Sequence, residues 1–170
     1  MGLELLISKE DIAKRVGEVA AQMRSDLKGA NPLFLCVLKG AVVFASDLVR
    51  AYGEECELGF IRLSSRRGMA SEGEVRERLA LDEDVVGKTV VIVEDIVDTG
   101  LTVEYLMGRL VELGAREVLV ATFCTKPSRL ERPVKVDYSC FEVPDEFIVG
   151  YGLDLDERFR NLDAVYSLRE

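Results

Sequence analysis

The sequence predicts an α/β fold: a mostly parallel central sheet with helices on both faces, in one domain spanning residues 1–170. Two observations predict it. Continuous apolar runs at Leu33–Leu38, Val90–Val93 and Val118–Phe123 suit strands buried on both faces, as in a parallel sheet, better than strands with one wet face. Stretches with helical spacing of apolar residues lie between them, which is the alternation expected of strand–helix–strand units. A length of 170 residues with 48% hydrophobic content is enough for one domain with a sizeable core.

The elements follow in order. Leu3 to Ile7 is a short apolar lead. Ser8, with Asp11 three residues on, caps a helix whose stripe is Ile12, Val16, Val19, Ala20, Met23 and Leu27, and Gly29 ends it. Pro32–Leu38 is a buried strand that runs into Lys39-Gly40 and then a helix from Ala41 to about Tyr52. Glu57–Leu63 alternates loosely and reads as a strand. From Ser64 to Arg78 the chain is polar, charged and broken by Gly68 and Gly73, which suits a disordered loop or a lid. An acidic turn at Asp82–Lys88 leads into the strand from Val90. Val103, Leu106, Met107, Leu110 and Val111 then mark a helix closed by Gly114. Glu117–Cys124 and Val134–Phe141 are two further strands.

Composition removes several classes of function. With no histidine, neither Ser-His nor Cys-His catalysis nor a His-ligated metal is possible, so base chemistry falls to carboxylate, Lys, Tyr or Cys. Cys36, Cys56, Cys124 and Cys140 form no Cys-x-x-Cys pair, and three of them lie in apolar strand-like runs, as small core residues in a reduced, cytoplasmic protein would. No apolar run approaches the ~20 residues of a membrane span, and no signal peptide is visible. A net charge of −9 argues against a nucleic-acid partner.

The chemistry concentrates at residues 94–102. After the buried strand come Glu94-Asp95, then Asp98-Thr99-Gly100-Leu101-Thr102, then a helix. Ligands of open α/β sheets bind at the carboxyl ends of strands. Small residues there free backbone N–H groups at a helix N-terminus, which favours an anion. Three carboxylates beside an anion cradle make sense for a ligand carrying phosphate, hydroxyls and Mg2+ together. The amides at 99–102 take the phosphate, Glu94 and Asp95 meet vicinal ribose hydroxyls or the metal, and Asp98 is left to act as a base. Lys39-Gly40, between a strand and a helix, repeats the anion geometry more weakly. Lys126, at the end of the strand 117–124, could meet a ligand carbonyl oxygen.

The string Glu94-Asp95-x-x-Asp98-Thr99-Gly100-x-Thr102 resembles the phosphoribosyl-pyrophosphate (PRPP) signature of the type I phosphoribosyltransferases. It lacks both the P-loop and the dinucleotide glycine pattern. The likeness extends from about Leu5 to Leu162, and it implies a small hood formed by the terminal segments over the strand ends. Leu38-Lys39-Gly40 matches the family's pyrophosphate loop. Lys126-Pro127-Ser128-Arg129 resembles the setting of a lysine that contacts the exocyclic O6 of a purine in the purine-salvage branch. Val143 to Asp154 resembles that branch's base-binding stretch. This implies Phe147 stacking on the base, Ile148 offering backbone groups to its edge, Asp154 approaching Mg2+, and Arg160 reaching pyrophosphate. The lid resembles Ser-Ser-Tyr-Gly: Ser64 and Ser65 match, Arg66 replaces the tyrosine, and Gly68 comes one residue later.

The activity so implied is Mg2+-dependent transfer of a phosphoribosyl group from PRPP to a 6-oxopurine, hypoxanthine or guanine, by a homodimer or homotetramer. Asp98 would be the general base. A pyrimidine-pathway regulator of the same fold that binds RNA is disfavoured by the charge and by the pairing of Lys-Pro-Ser-Arg with Phe-Ile-Val-Gly-Tyr. Sister transferases acting on xanthine or adenine stay open, because a backbone contact at the purine 2-position leaves no side-chain trace.

Overall fold

A computed structural model describes residues 2–65, 75–79, 81 and 84–169. Its larger sheet is built from β2 (Leu33–Leu38), β3 (Glu57–Ser65), β4 (Val75–Leu79), β5 (Thr89–Val97), β6 (Glu117–Thr125) and β7 (Tyr138–Glu142). The order across the sheet is β4-β3-β2-β5-β6-β7. All neighbours are parallel except β4, which pairs antiparallel with β3 at one edge. The central apolar runs fall where sequence places them: Leu33 to Cys36 lie in register with Val90 to Val93.

Strand alternation sends these side chains into two cores. Phe34, Cys36, Val91, Val93, Ala121 and Phe123 face α1 (Lys9–Asp26) and α2 (Val42–Tyr52). Leu33, Leu35, Ile92 and Val120 face α3 (Leu101–Glu112) with its buried Val103, Leu106 and Leu110. Each large apolar side chain so buried contributes about 1.5–3 kcal/mol relative to exposure. Ser8 caps α1 as expected, its side chain accepting from the Asp11 N–H at 3.1 Å.

The position of the ligand crevice follows from this order. Beyond β2 the chain adds β3 on one side; beyond β5 it adds β6 and β7 on the other. The strand order therefore reverses between β2 and β5, and their following helices pack on opposite faces. A crevice opens outside the carboxyl ends at such a switch point, between Lys39-Gly40 after β2 and the acidic loop after β5.

The structure departs from the sequence reading in three places. The apolar lead is a strand, β1 (Gly2–Ile7), which pairs with β9 (Val165–Arg169) in a three-stranded antiparallel sheet completed by β8 (Ile148–Val149). This is the hood. Its β1 residues before Ile7 are exposed, so their apolarity reflects strand pairing rather than core burial. Part of the expected loop at 64–78 is β4, because the outer edge of β3 offers unpaired backbone groups that a second strand satisfies. Of the lid residues, Ser64 and Ser65 end β3, and Arg66 lies outside the described residues. Finally, the strand expected at 134–141 begins only at Tyr138. Asp137 closes a local link to β6 instead, its N–H donating to the Val120 carbonyl and its carboxylate accepting from the Val120 N–H.

Candidate active site

Three loops at the carboxyl edge of the sheet, together with one segment of the hood, meet at the switch point. The first loop follows β5. Gly100 has φ +88°, and a side chain there would press on Leu130, Arg132 and Val134, so glycine suits both the backbone and the space. The loop is tied down by its Thr99 carbonyl, which accepts from the Glu131 and Arg132 N–H groups, each at 3.0 Å. Gly100, the N-cap of α3, has no side chain to cap it, and apart from the long Leu101 N–H bond to Thr99 Oγ1 the first-turn N–H groups are directed at the loop. Glu94, Asp98, Thr99, Gly100 and Thr102 line a cavity of about 70 Å3 here.

Glu94 and Asp95 stand side by side at the end of β5, with their carboxyl groups hydrogen-bonded to each other. Glu94 lines this cavity and is buried. Burial pushes its carboxyl well above the usual range, and the neighbouring Asp95 charge adds to the effect. Asp95 is also raised by burial, although the Ile96 N–H and the Arg160 guanidinium favour its charged form. Asp95 lies against Gly40: a Cβ at that position would come within 1.7 Å of the Asp95 carboxylate. Cys36, under the same two carboxyl groups, has its thiol pushed up to about 12, chiefly by burial. Cys36, Cys124 and Cys140 are buried, as their strand setting led us to expect, and all four cysteines are free.

The raised Glu94 carboxyl has a consequence for stability. A folded-state value above the unfolded one means that the folded protein holds the extra proton. The stabilisation is complete below the ordinary value of 4.5 and is lost as pH rises toward the folded value. Glu94→Gln, which never ionises, should therefore gain about 1–3 kcal/mol over the parent at pH 8 and little near pH 4.5. Urea midpoints at the two pH values check this, and an equal difference at both would refute it.

The second loop is Lys39-Gly40, entered through a cis Leu38–Lys39 peptide. Its partner is the hood segment 150–160. Gly152 has φ +98°, and a Cβ there would stand 2.1 Å from the Gly40 carbonyl oxygen. Arg160 closes the cluster: its Nη1 donates to the Gly152 carbonyl at 2.8 Å, and its Nη2 pairs with Asp154 Oδ1 at 2.9 Å. Lys39 Nζ pairs with Glu157 Oε2 at 2.8 Å, and that bond holds the Glu157 carboxyl below its usual range. Tyr151 anchors the segment, its ring 4.7 Å from that of Phe123 and its hydroxyl donating to Asp47 Oδ2 at 2.6 Å.

The third loop follows β6. Lys126, largely buried, donates from Nζ to the Glu146 carbonyl at 2.8 Å, which sets its ammonium next to Phe147. Phe147 is 53% exposed, so it is an open aromatic face rather than a core residue. The Leu168 N–H donates to the Phe147 carbonyl, so Ile148 opposes Ser167 at a non-hydrogen-bonded position. The Ile148 N–H and C=O therefore point away from β9, toward the open edge of the hood sheet, while its side chain is buried. A one-turn 3-10 helix, Pro127–Arg129, turns the chain back toward the first loop. There Arg129 Nε meets Asp98 Oδ1 at 2.5 Å, and Arg129 Nη1 meets Asp145 Oδ1 at 3.3 Å.

The structure thus gathers Lys39, Gly40, Asp95, Asp154 and Arg160 on one side of the crevice. Glu94, Asp98, Thr99, Gly100 and Thr102 lie around the cavity after β5, and Lys126, Phe147 and Ile148 at the third loop. Leu101 opens α3 beside them, its N–H 3.4 Å from Thr99 Oγ1. Glu94, Asp95 and Asp154 do not converge: among the described residues no three acidic or cysteine side chains are grouped as a metal cage. Sequence reasoning missed Arg129, Asp145 and Glu157. Arg129 and Asp145 stood inside the stretches singled out above and Glu157 just beyond one, yet only the fold shows what each pairs with.

Residues 6–156 match the family described as the phosphoribosyl transferase domain. The chain belongs to the phosphoribosyl transferase domain family. It is 41% identical to the hypoxanthine-guanine phosphoribosyltransferase of Streptococcus thermophilus over 168 residues, which cover 98% of this chain and 93% of that protein. It is 40% identical to the Bacillus subtilis enzyme of the same name, with the same coverage. Its fold superposes on a hypoxanthine phosphoribosyltransferase of Staphylococcus aureus with a TM-score of 0.94 at 34% identity, covering 98% of this chain and 91% of that one. The parallel sheet read from the apolar runs and the hood implied by the resemblance are thus the family's architecture, and the chain is a pentosyl-transferring enzyme.

Proposed function

We propose that this phosphoribosyltransferase moves the 5-phosphoribosyl group of PRPP to a 6-oxopurine, hypoxanthine or guanine, giving IMP or GMP and pyrophosphate. The observation that carries the reading is the meeting, at one switch point, of a phosphate cradle, a cationic Lys39/Arg160 pair and an exposed aromatic beside a lysine. The relatives named above support the choice of base.

Roles follow from position. The amides and hydroxyls of Thr99, Gly100, Leu101 and Thr102 bind the 5-phosphate. Glu94 and Asp95 take the ribose hydroxyls. Lys39 and Arg160 hold the diphosphate, whose departure leaves positive charge on the ribose C1. Phe147 stacks on the base, the Ile148 backbone meets its edge, and Lys126 donates to O6. Asp98 accepts the N7 proton as N9 attacks. Ser64, Ser65 and Arg66 belong to a lid that excludes water from the cationic transition state.

The donor set suits Mg2+ shared with substrate. That ion keeps several waters and meets proteins through one or two carboxylates plus substrate phosphates, and Asp95 and Asp154 both stand beside Arg160 at the diphosphate side. Asp154 and Asp95 would hold the ion, and Glu94, hydrogen-bonded to Asp95, would support it from behind rather than complete a three-carboxylate cage. Bound there, it would offset charge on the leaving diphosphate.

The reading also takes the protein as cytoplasmic, with no nucleic-acid partner, and as a homodimer or homotetramer. No helix among the described residues is long and apolar enough to cross a membrane. The test is pyrophosphate release from PRPP and Mg2+ with hypoxanthine, guanine, xanthine, adenine and uracil in separate reactions. Release with the first two, abolished by a chelator, is expected; release with uracil alone would overturn the purine assignment. Lys126→Ala should reduce the preference for 6-oxo over 6-amino purines by about 10- to 100-fold, the scale of one lost hydrogen bond to a buried polar group. An unaltered ratio of kcat/KM values for hypoxanthine and adenine would remove Lys126 from base recognition.

A further inference from the structure

Glu157 stands between the two cations assigned to the diphosphate. Its Oε2 is 2.8 Å from Lys39 Nζ, and its Oε1 is 3.4 Å from Arg160 Nη2. One carboxylate therefore bridges, with its two oxygens, the pair of groups that would grip two phosphate oxygens. From the geometry we infer that Glu157 is an internal anion occupying the diphosphate seat, so that PRPP or pyrophosphate binds only by displacing it. This rests on the reading of Lys39 and Arg160 given above.

The backbone supplies an independent observation. Leu155 and Arg158 exchange backbone hydrogen bonds at 3.1 and 3.0 Å, with Asp156 at φ +49° and Glu157 at φ +64° between them. Two left-handed residues in a two-residue turn describe a type I′ turn, whose second central position ordinarily takes glycine. A glutamate there is held against its own backbone preference. The turn is fixed at its base, where the Glu157 N–H donates to Asp154 Oδ2 at 2.9 Å and Asp154 Oδ1 pairs with Arg160. The same short segment thus positions both a diphosphate cation and the anion that neutralises it.

The contact is exposed enough to be released. The side chains of Lys39 and Glu157 are 44% and 61% accessible, and such pairs are weak singly. A tethered competitor of this kind lowers apparent ligand affinity by the fraction of time it holds the seat. It keeps two cations paired when no ligand is present, and it favours release of pyrophosphate after transfer.

The test is calorimetric titration of inorganic pyrophosphate, with magnesium chloride in excess, into the parent protein and Glu157→Gln. The variant keeps the side chain's shape and removes its charge. We expect it to bind pyrophosphate about three- to tenfold more tightly, the scale of two released surface ion pairs. In a Lys39→Met background the gain should shrink, because one of the two cations in contest is gone; a purely structural effect of the substitution would persist there. Equal affinity in the parent and Glu157→Gln would show that Glu157 does not contest the seat. Weaker binding by the variant would make Glu157 part of the ligand's own shell. Either result overturns the inference and leaves the transferase reading intact. Binding by neither protein would remove the diphosphate assignment of Lys39 and Arg160, and the inference with it.

Discussion

Replacing Asp98 by asparagine is expected to lower turnover by about 10²- to 10⁴-fold, the contribution of a positioned general base. The KM for PRPP should stay nearly unchanged. The amides at 99–102 that we assign to the 5-phosphate belong to the backbone, and they are fixed by Glu131 and Arg132 at the Thr99 carbonyl rather than by Asp98. Asparagine matches the shape of aspartate but accepts no proton. In the structure the Asp98 carboxylate is held by Arg129, which in turn meets Asp145. That chain of contacts links the loop after β5 to the segment leading into Phe147, so Asp98 is oriented toward the place proposed for the purine. Arg129→Ala would leave a competent base that is less well aimed, and its loss of turnover should be smaller than that of Asp98→Asn. Steady-state kinetics with hypoxanthine measure both. Unchanged turnover in Asp98→Asn would end its assignment as the base.

What could be read from the sequence was local. The β5 run announces a strand buried on both faces, and the acidic and small residues after it announce a phosphate-bearing ligand, because both signals lie within one short stretch. The α1 stripe and its Ser8 cap are legible for the same reason. The hood is not local. Gly2 pairs with Arg169, and no pattern in either segment advertises the other. β4 was hidden by its charges, since its place is set by the open edge of β3 rather than by its own composition. The site shows the same division. Lys126, Phe147 and Arg160 were singled out through their strings, but Glu157 and Arg129 make ion pairs to residues 118 and 31 positions away. Nor does sequence reveal that the adjacent Glu94 and Asp95 are buried with their carboxyl groups hydrogen-bonded to each other; that follows from their place at the end of β5.

The contact between Gly40 and Gly152 leads to the second large effect. Gly152→Ala should destabilise the protein by about 2–5 kcal/mol, through a left-handed backbone that disfavours a side chain and a collision that forces the neighbouring backbone to move. The added Cβ would stand 2.1 Å from the Gly40 carbonyl oxygen, a backbone atom with no rotamer to yield. Relief must come from moving the Lys39-Gly40 loop or the hood segment. Either shift also disturbs Arg160, which is bonded to Gly152 through both its backbone carbonyl and its Nη1. The KM for PRPP should therefore rise by about 10- to 100-fold, the scale of an ångström-sized misplacement of binding groups. Gly150→Ala is the matched control. It has the same φ of +98° and the same 2.1 Å approach, but to the Ala164 carbonyl, away from the diphosphate loop. Both variants should lose stability comparably in urea, while only Gly152→Ala should lose PRPP affinity in proportion. If the two raised KM alike, the loss would belong to folding in general rather than to the Gly40 contact. If Gly152→Ala kept parental stability and KM, the close packing of the hood on the Lys39-Gly40 loop would have no part in building the site.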